Sequence, residues 1–218
     1  MNTLTTIAPL LERLFKESDA SSPALDALFN SVSPDEQLRL MRSKGSYKEL
    51  YGTLKDFALP VSRETGRLLY LLARSSDAKS IVEFGTSFGL STLHLAAALR
   101  DNGGGKLITS EFEPSKAKRA RAHLAEGGLI DLVELREGDA LQTLKTGLPD
   151  RIDLLLLDGA KALYSDVLDL VERRLRPGAL IVADNADHCP EFLDRVRSSN
   201  GYLSLPFADD VELSMKTV

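Results

Sequence analysis

Apolar residues near the start of the chain recur at helical spacing: Leu10, Leu11, Leu14 and Phe15 fall on one face. Ser18 to Pro34 is rich in Ser, Asp and Pro and predicts a loop. A second helical run follows Pro60, where Arg63 to Arg74 carries Leu68, Leu69, Leu71 and Leu72 before the polar break Ser75 to Lys79. From Ser80 the pattern changes to short aliphatic or β-branched runs separated by helical stretches, as in βαβ units around a parallel sheet. Five strands are predicted, at Ser80–Phe84, Lys106–Glu111, Leu132–Arg136, Ile152–Asp158 and Ala179–Asp184. The last two are nearly continuous apolar runs, as strands covered on both faces require. Helices are expected at Ser91–Arg100, Pro114–Gly127, Ala140–Thr146, Tyr164–Leu175 and Pro190–Ser199. Gly201–Pro206 and Val211–Lys216 are expected to pair antiparallel around Phe207–Asp210 and to add an edge. The fold class is α/β: a mostly parallel seven-stranded sheet flanked by helices, with an antiparallel C-terminal hairpin.

Composition narrows the options. With 218 residues and 43% hydrophobic content the chain can build one full core, so a single domain over 1–218 is expected. In it, residues 1–59 would form a helical cap or oligomer segment and 60–218 the core. A net charge of −5 lacks the basic surplus that nucleic acid demands, so no nucleic-acid partner is expected. One cysteine, Cys189, excludes an internal disulfide and a cysteine-based zinc site. Met1 to Pro9 has no basic stretch before a long apolar run, and no segment approaches the roughly 20 apolar residues that span a bilayer. A cytoplasmic protein without a membrane partner is expected.

Ligands in open α/β sheets bind outside the carboxyl ends of the strands. After the first strand comes Glu83-Phe84-Gly85-Thr86-Ser87-Phe88-Gly89-Leu90-Ser91, a turn whose glycines let backbone approach a ligand. A dinucleotide fingerprint places glycine where Ser87 stands, which weakens a nicotinamide reading. Glu111 ends the second strand, where a carboxylate can accept hydrogen bonds from both hydroxyls of a ribose or remain solvated. Gly138-Asp139-Ala140 follows the third strand, and Asp139 is suited either to an adenine amino group or to capping the next helix.

The fourth and fifth strands run into Asp158 and into Asp184-Asn185. Two carboxylates and an amide carbonyl at neighbouring strand ends suit a hard divalent cation; singly, each is also an ordinary cap or turn residue. Lys161 lies three residues past Asp158, and near a metal in a dry pocket its pKa can fall far enough for a base, although most lysines are solvated charges.

In this order, the glycine loop, Glu111, Gly138-Asp139, Asp158 with Lys161, and Asp184-Asn185 make the chain resemble the catechol and caffeoyl-CoA O-methyltransferase family from about Pro60 onward. The resemblance implies a Rossmann-like class I methyltransferase that uses S-adenosylmethionine and a divalent cation, magnesium first and calcium or manganese next. It implies that Gly85, Ser87 and Ser91, with Glu83, Thr86 and Gly89 of the same loop, surround the methionine part of the cofactor. Val61, Ser62 and Glu64 would close over that end. Glu111 with Phe112 would hold the ribose, Gly138, Asp139 and Ala140 would border the adenine, and Asp158 would touch the cofactor as well. By the same resemblance Asp158, Asp184 and Asn185 are the metal ligands, and Lys161 and Asp158 are catalytic.

The acceptor implied is a catechol-like or phenolic small molecule. Gly159-Ala160 stands where animal catechol enzymes carry bulky ring-contacting residues, and there is no tryptophan, so no aromatic clamp is visible. His188 and Pro190 are candidates for the acceptor pocket. Lys44 to Tyr51 is expected to cover the site or to form a homodimer contact. Two other readings stay open: a nicotinamide-dependent oxidoreductase, and a non-catalytic S-adenosylmethionine-binding protein.

Overall fold

Seven strands form one sheet in the order β3-β2-β1-β4-β5-β7-β6. They are β1 (Ser80–Phe84), β2 (Lys106–Glu111), β3 (Val133–Glu137), β4 (Ile152–Leu157), β5 (Leu175–Ala183), β6 (Tyr202–Phe207) and β7 (Val211–Lys216). The computed structural model describes residues 2–208 and 210–218; Met1, and Asp209 of the expected C-terminal turn, lie outside the described residues. β1 to β5 pair in parallel, and β7 runs antiparallel to both β5 and β6. The hairpin therefore extends the sheet, with its first strand outermost.

The helices are α1 (Thr3–Thr6), α2 (Ala8–Asn30), α3 (Pro34–Met41), α4 (Tyr47–Thr53), α5 (Arg63–Ser75), α6 (Leu90–Asp101), α7 (Pro114–Glu126), α8 (Ala140–Thr143), α9 (Tyr164–Val171) and α10 (Pro190–Ser198). Side chains alternate across the sheet with the period of two that a strand imposes. Ile81, Leu154 and Leu156 pack with Leu10, Leu69, Leu95 and Leu124 from α2, α5, α6 and α7. Val82, Leu155 and Leu157 pack with Val167, Leu168, Phe192 and Val196 from α9 and α10. Every residue of β4 is buried, which is why its sequence shows no polar alternation beyond Asp153. α6 is buried over the whole stretch Leu90–Leu99, as its mostly apolar circumference requires. Among the described residues no helix is long and apolar enough to cross a membrane.

The loop expected within Ser18–Pro34 is confined to its end. α2 continues through that stretch to Asn30, with Pro23 inside the helix. The lost proline N–H leaves the Asp19 carbonyl without its i+4 donor, while the hydroxyls of Ser21 and Ser22 turn back onto the Ser18 carbonyl, one residue earlier, at 2.8 and 3.2 Å. Ala20, Ala24, Leu25, Ala27 and Leu28 are good helix formers and carry the helix past the proline. The break falls at Ser31–Ser33, where Ser33 caps α3. Smaller differences have local causes: a 3₁₀ turn at Ile130–Leu132 delays β3, and β5 begins at Leu175, ahead of a register shift in its pairing with β4.

Asp101 ties the amino terminus to the core. It accepts the Thr3 N–H at 3.0 Å and the Tyr70 hydroxyl at 2.6 Å. Burial alone would raise the Asp101 pKa, but the hydrogen bonds from Thr3 and Tyr70 outweigh it and hold the carboxyl below its ordinary value. The folded form therefore binds the proton less readily than the unfolded one. That stabilisation is present above the ordinary carboxylate range and is lost as pH falls through the depressed folded value. Asp101→Ala should cost about 1–3 kcal/mol in urea unfolding at pH 7, and the difference from wild type should shrink in acid.

Candidate active site

The chain runs β1 to β3 outward, then returns to place β4 on the other side of β1, so the sheet has its switch point between β1 and β4. Residues leaving the carboxyl ends of these strands face a shared crevice. The ladder continues one step beyond the strands: Asp158 N–H donates to Phe84 O at 2.8 Å, and Asp184 N–H donates to Leu157 O at 2.9 Å. The tips after β1, β4 and β5 are thereby fixed relative to one another.

A narrow groove beside β1 and β2 is lined by Gly85, Ser87, Glu111, Phe112, Gly138, Asp139, Ala140 and Asp158, all proposed from sequence. Ser87 sits at φ +47, an uncommon conformation for a non-glycine residue, and its N–H donates to Glu111 Oε2 at 2.7 Å. Glu111 Oε1 takes the Glu113 N–H at 2.8 Å. Burial pushes the Glu111 carboxyl up despite these donors and the nearby Lys116. Asp139 caps α8 through the Leu141 N–H, and its other oxygen accepts from the Tyr47 hydroxyl and Lys48, both at 2.9 Å.

Four other loop residues stand behind this groove and not on it. Glu83 is fully buried and accepts from the hydroxyls of Ser91 and Thr92, both at 2.6 Å. Thr86 pairs with Thr109. Gly89, at φ +88, starts α6, and its α-carbon faces Ala120. They shape the loop from beneath.

A second, larger chamber of about 700 Å³ adjoins the groove, with Tyr51, Leu59, Asp158 and Gly159 on both. Val61, Ser62, Glu64, Lys161, Asp184 and Asn185 line it. Lys161 Nζ donates to Asp158 Oδ1 at 3.2 Å, the Tyr164 hydroxyl at 2.9 Å and Asp184 O at 3.3 Å. The Tyr164 hydroxyl donates to the same Asp184 carbonyl at 2.7 Å. Asn185 adopts the left-handed conformation that Asn tolerates, and its amide nitrogen donates to Asp210 at 3.0 Å. Burial raises the Asp158 carboxyl against the pull of Lys161. Burial and then the negative charge of Asp158 push Asp184 up to about 8.

The lysine departs from expectation. Burial alone would lower its pKa, but the oxygens of Tyr164, Asp158 and Asp184 around it outweigh that, and Lys161 is held firmly protonated. His188 and Pro190 line a separate cavity. Tyr47, Lys48 and Tyr51 of α4 fall in the Lys44–Tyr51 segment expected to cover the site or form a dimer contact, without being singled out there, and Lys116, Tyr164 and Asp210 were given no role. Only Tyr164, one helical turn after Lys161, had a local signal.

α4 roofs the groove, which holds only about 70 Å³. Lys48 of the same helix is tied to Asp139 on the rim of the groove, so releasing that contact should ease entry of a nucleoside. Lys48→Ala should therefore speed association of S-adenosylhomocysteine in stopped flow; an unchanged rate would show that the Lys48–Asp139 contact does not gate entry.

Residues 82–186 match a family model described as a methyltransferase domain. The chain is 36% identical over 171 residues to a catechol O-methyltransferase of Mycobacterium tuberculosis, covering 78% of this chain and 74% of that protein. The chain belongs to the catechol-type O-methyltransferase family. A catechol O-methyltransferase of Niastella koreensis is 37% identical over 140 residues, 63% of this chain and 62% of the relative, so this match spans less than two thirds of that protein. Among solved structures, the O-methyltransferase TomG from Streptomyces achromogenes, involved in tomaymycin synthesis and in complex with S-adenosylmethionine, superposes with a TM-score of 0.67. It is 29% identical, and the match covers 89% of this chain and 96% of that one. The sheet is that of the Rossmann-like methyltransferases, and S-adenosylmethionine is the cofactor of this O-methyltransferase family. The nicotinamide reading is set aside.

Proposed function

We propose that the protein transfers the methyl group of S-adenosylmethionine to one of two neighbouring hydroxyls on a catechol-like or other small vicinal-diol acceptor, with a divalent cation held by Asp158, Asp184 and Asn185. One observation carries the reading: a buried carboxylate, Asp184, and a largely buried one, Asp158, from adjacent strand tips meet in a chamber that shares Asp158 and Gly159 with the cofactor groove.

The donor set fits a hard cation. Among the described residues no three of His, Cys, Asp and Glu form a ligand cluster, so the third protein ligand in this reading is an amide. The negative charge of Asp158 raises the cost of ionising Asp184 in a desolvated space, and a cation between them would relieve that repulsion. Asn185 commits its amide nitrogen to Asp210, which keeps its carbonyl oxygen for a metal. Oxygen-only ligation suits magnesium, manganese or calcium.

A cation held by Asp158, Asp184 and Asn185 would supply a Lewis acid that lowers the pKa of the reacting acceptor hydroxyl. Lys161, kept protonated by its surroundings, donates to that oxygen and steadies its negative charge. Val61, Ser62 and Glu64, with Gly85 and Ser87, hold the methionine end; Glu111 and Phe112 hold the ribose, and Gly138, Asp139 and Ala140 the adenine. Glu83, Thr86, Gly89 and Ser91 position that loop. The acceptor hydroxyl loses its proton to solvent, and a bond forms between its oxygen and the methyl carbon as the sulfur–carbon bond breaks, giving a methyl ether, S-adenosylhomocysteine and one proton. Charge is neutralised in this step, so alignment and exclusion of water contribute more than oxyanion stabilisation. Residues 1–59 act as the cap of a single methyltransferase domain.

The test is product analysis. Protein with S-adenosylmethionine, magnesium and catechol should give the monomethyl ether and S-adenosylhomocysteine in equal amounts by mass spectrometry. Tight S-adenosylmethionine binding with no ether from any vicinal diol would favour a non-catalytic binder.

A further inference from the structure

The large chamber has two kinds of wall. Asp158, Asp184, Asn185 and Lys161 make one part charged and polar. Leu25 and Phe29 of α2, Met41 of α3, and Leu50 and Leu54 of α4 make another part apolar. A further cavity of about 370 Å³ shares Phe29, Leu50 and Leu54 with it and continues along Leu28, Val32 and Leu40. Phe29 and Leu50 are large side chains only half-buried, and both border the two spaces.

Sites that enclose a drug-sized ligand run to roughly 300–1,000 Å³, so about 700 Å³ with an adjoining 370 Å³ exceeds the need of a bare dihydroxybenzene ring. The methionine end of the cofactor accounts for space near Val61, Ser62 and Glu64, but not for an apolar wall contributed by three N-terminal helices. Gly159-Ala160 adds no ring-contacting side chain; Tyr51 from α4 lies there instead, with its hydroxyl 3.5 Å from the Gly159 carbonyl.

The geometry points to an acceptor with two parts: a vicinal-diol head that reaches Asp158 and Asp184, and an apolar substituent that runs between α2 and α4 over Phe29, Leu50 and Leu54. This inference rests on the methyl-transfer reading above and names the acceptor class more narrowly. The N-terminal helices then select the acceptor, while the strand tips carry the chemistry.

The experiment compares catechol with 4-methyl-, 4-butyl- and 4-hexylcatechol on the full-length protein at saturating S-adenosylmethionine and magnesium. Burying a methylene favours binding by up to about fourfold, so kcat/KM should climb on the order of a hundredfold from catechol to the hexyl compound. The affinity of protein saturated with S-adenosylhomocysteine for the same compounds, measured by calorimetry, should follow the same trend. In Phe29→Ser and in Leu50→Ser the ratio of hexylcatechol to catechol kcat/KM should fall at least tenfold. A flat or falling series with catechol still methylated overturns the apolar-substituent inference alone, as does an unchanged ratio in both variants. No methylation of any compound overturns it together with the methyl-transfer reading.

Discussion

Asp184→Asn should lower kcat/KM for a catechol acceptor by about a thousandfold or more at fixed magnesium, the several kcal/mol that a well-held Lewis acid contributes. The substitution keeps side-chain size and leaves untouched the Asp184 carbonyl that Lys161 and Tyr164 use. What it removes is one of two negative charges in a desolvated chamber. Calorimetry should show magnesium affinity falling in parallel, while affinity for S-adenosylhomocysteine stays near wild type. Stability should move the other way. With its carboxyl pushed up to about 8, folded Asp184 holds a proton that the unfolded chain releases near the ordinary carboxylate value. In chelator, wild-type stability should therefore decline as pH rises from about 4 toward 8, a slope that Asp184→Asn lacks and that magnesium suppresses. Turnover within tenfold of wild type would contradict the ligand role.

Gly85→Ala should cost about 3–5 kcal/mol and lower the melting temperature by roughly 10 °C. Gly85 has φ +99, where an L side chain is strained, and its Cβ would lie 2.3 Å from the Asp158 carbonyl oxygen and 2.7 Å from the Gly159 nitrogen. These are backbone atoms held by the Asp158 N–H bond to Phe84, so relief requires displacing the β4 tip itself. S-adenosylhomocysteine binding should weaken at least a hundredfold, because the same shift moves both Asp158 and the glycine loop. Gly103→Ala is the control: φ is +85 there, yet a Cβ meets nothing within 4 Å, and only the backbone cost of about 1 kcal/mol is expected. Equal melting temperatures for the two variants would show that the close approach of Gly85 to Asp158 carries no weight.

Much of this architecture was legible because local sequence and tertiary demand agree. β1, β2 and β7 begin and end where the apolar runs do, and the tips that follow β1 to β5 carry the polar residues now found around one crevice. Asp158, Asp184, Asn185 and Lys161 were readable as a group because each follows a strand directly. The length of α2 was not legible since Pro23 and its serines look like loop chemistry, while in the fold the serine hydroxyls turn back onto the helix's own Ser18 carbonyl and the helix runs on to Asn30. For Lys44–Tyr51 the sequence left covering the site and a dimer contact both open, because the partners of Tyr47, Lys48 and Tyr51 lie about a hundred residues away, at Asp139 and Gly159, and nothing near them in sequence marks the encounter. The low pKa considered for Lys161 presupposed a nearby metal; among the protein's own groups, the oxygens of Tyr164, Asp158 and Asp184 around it outweigh burial and raise it.

The central claim is that the paired carboxylates hold a cation which the methyl transfer needs. It is tested most directly by stripping the protein with chelator, assaying transfer to catechol, and then titrating magnesium back. Transfer should vanish in excess chelator and return in proportion to magnesium bound, at one ion per chain. Undiminished transfer in the chelator would contradict the claim.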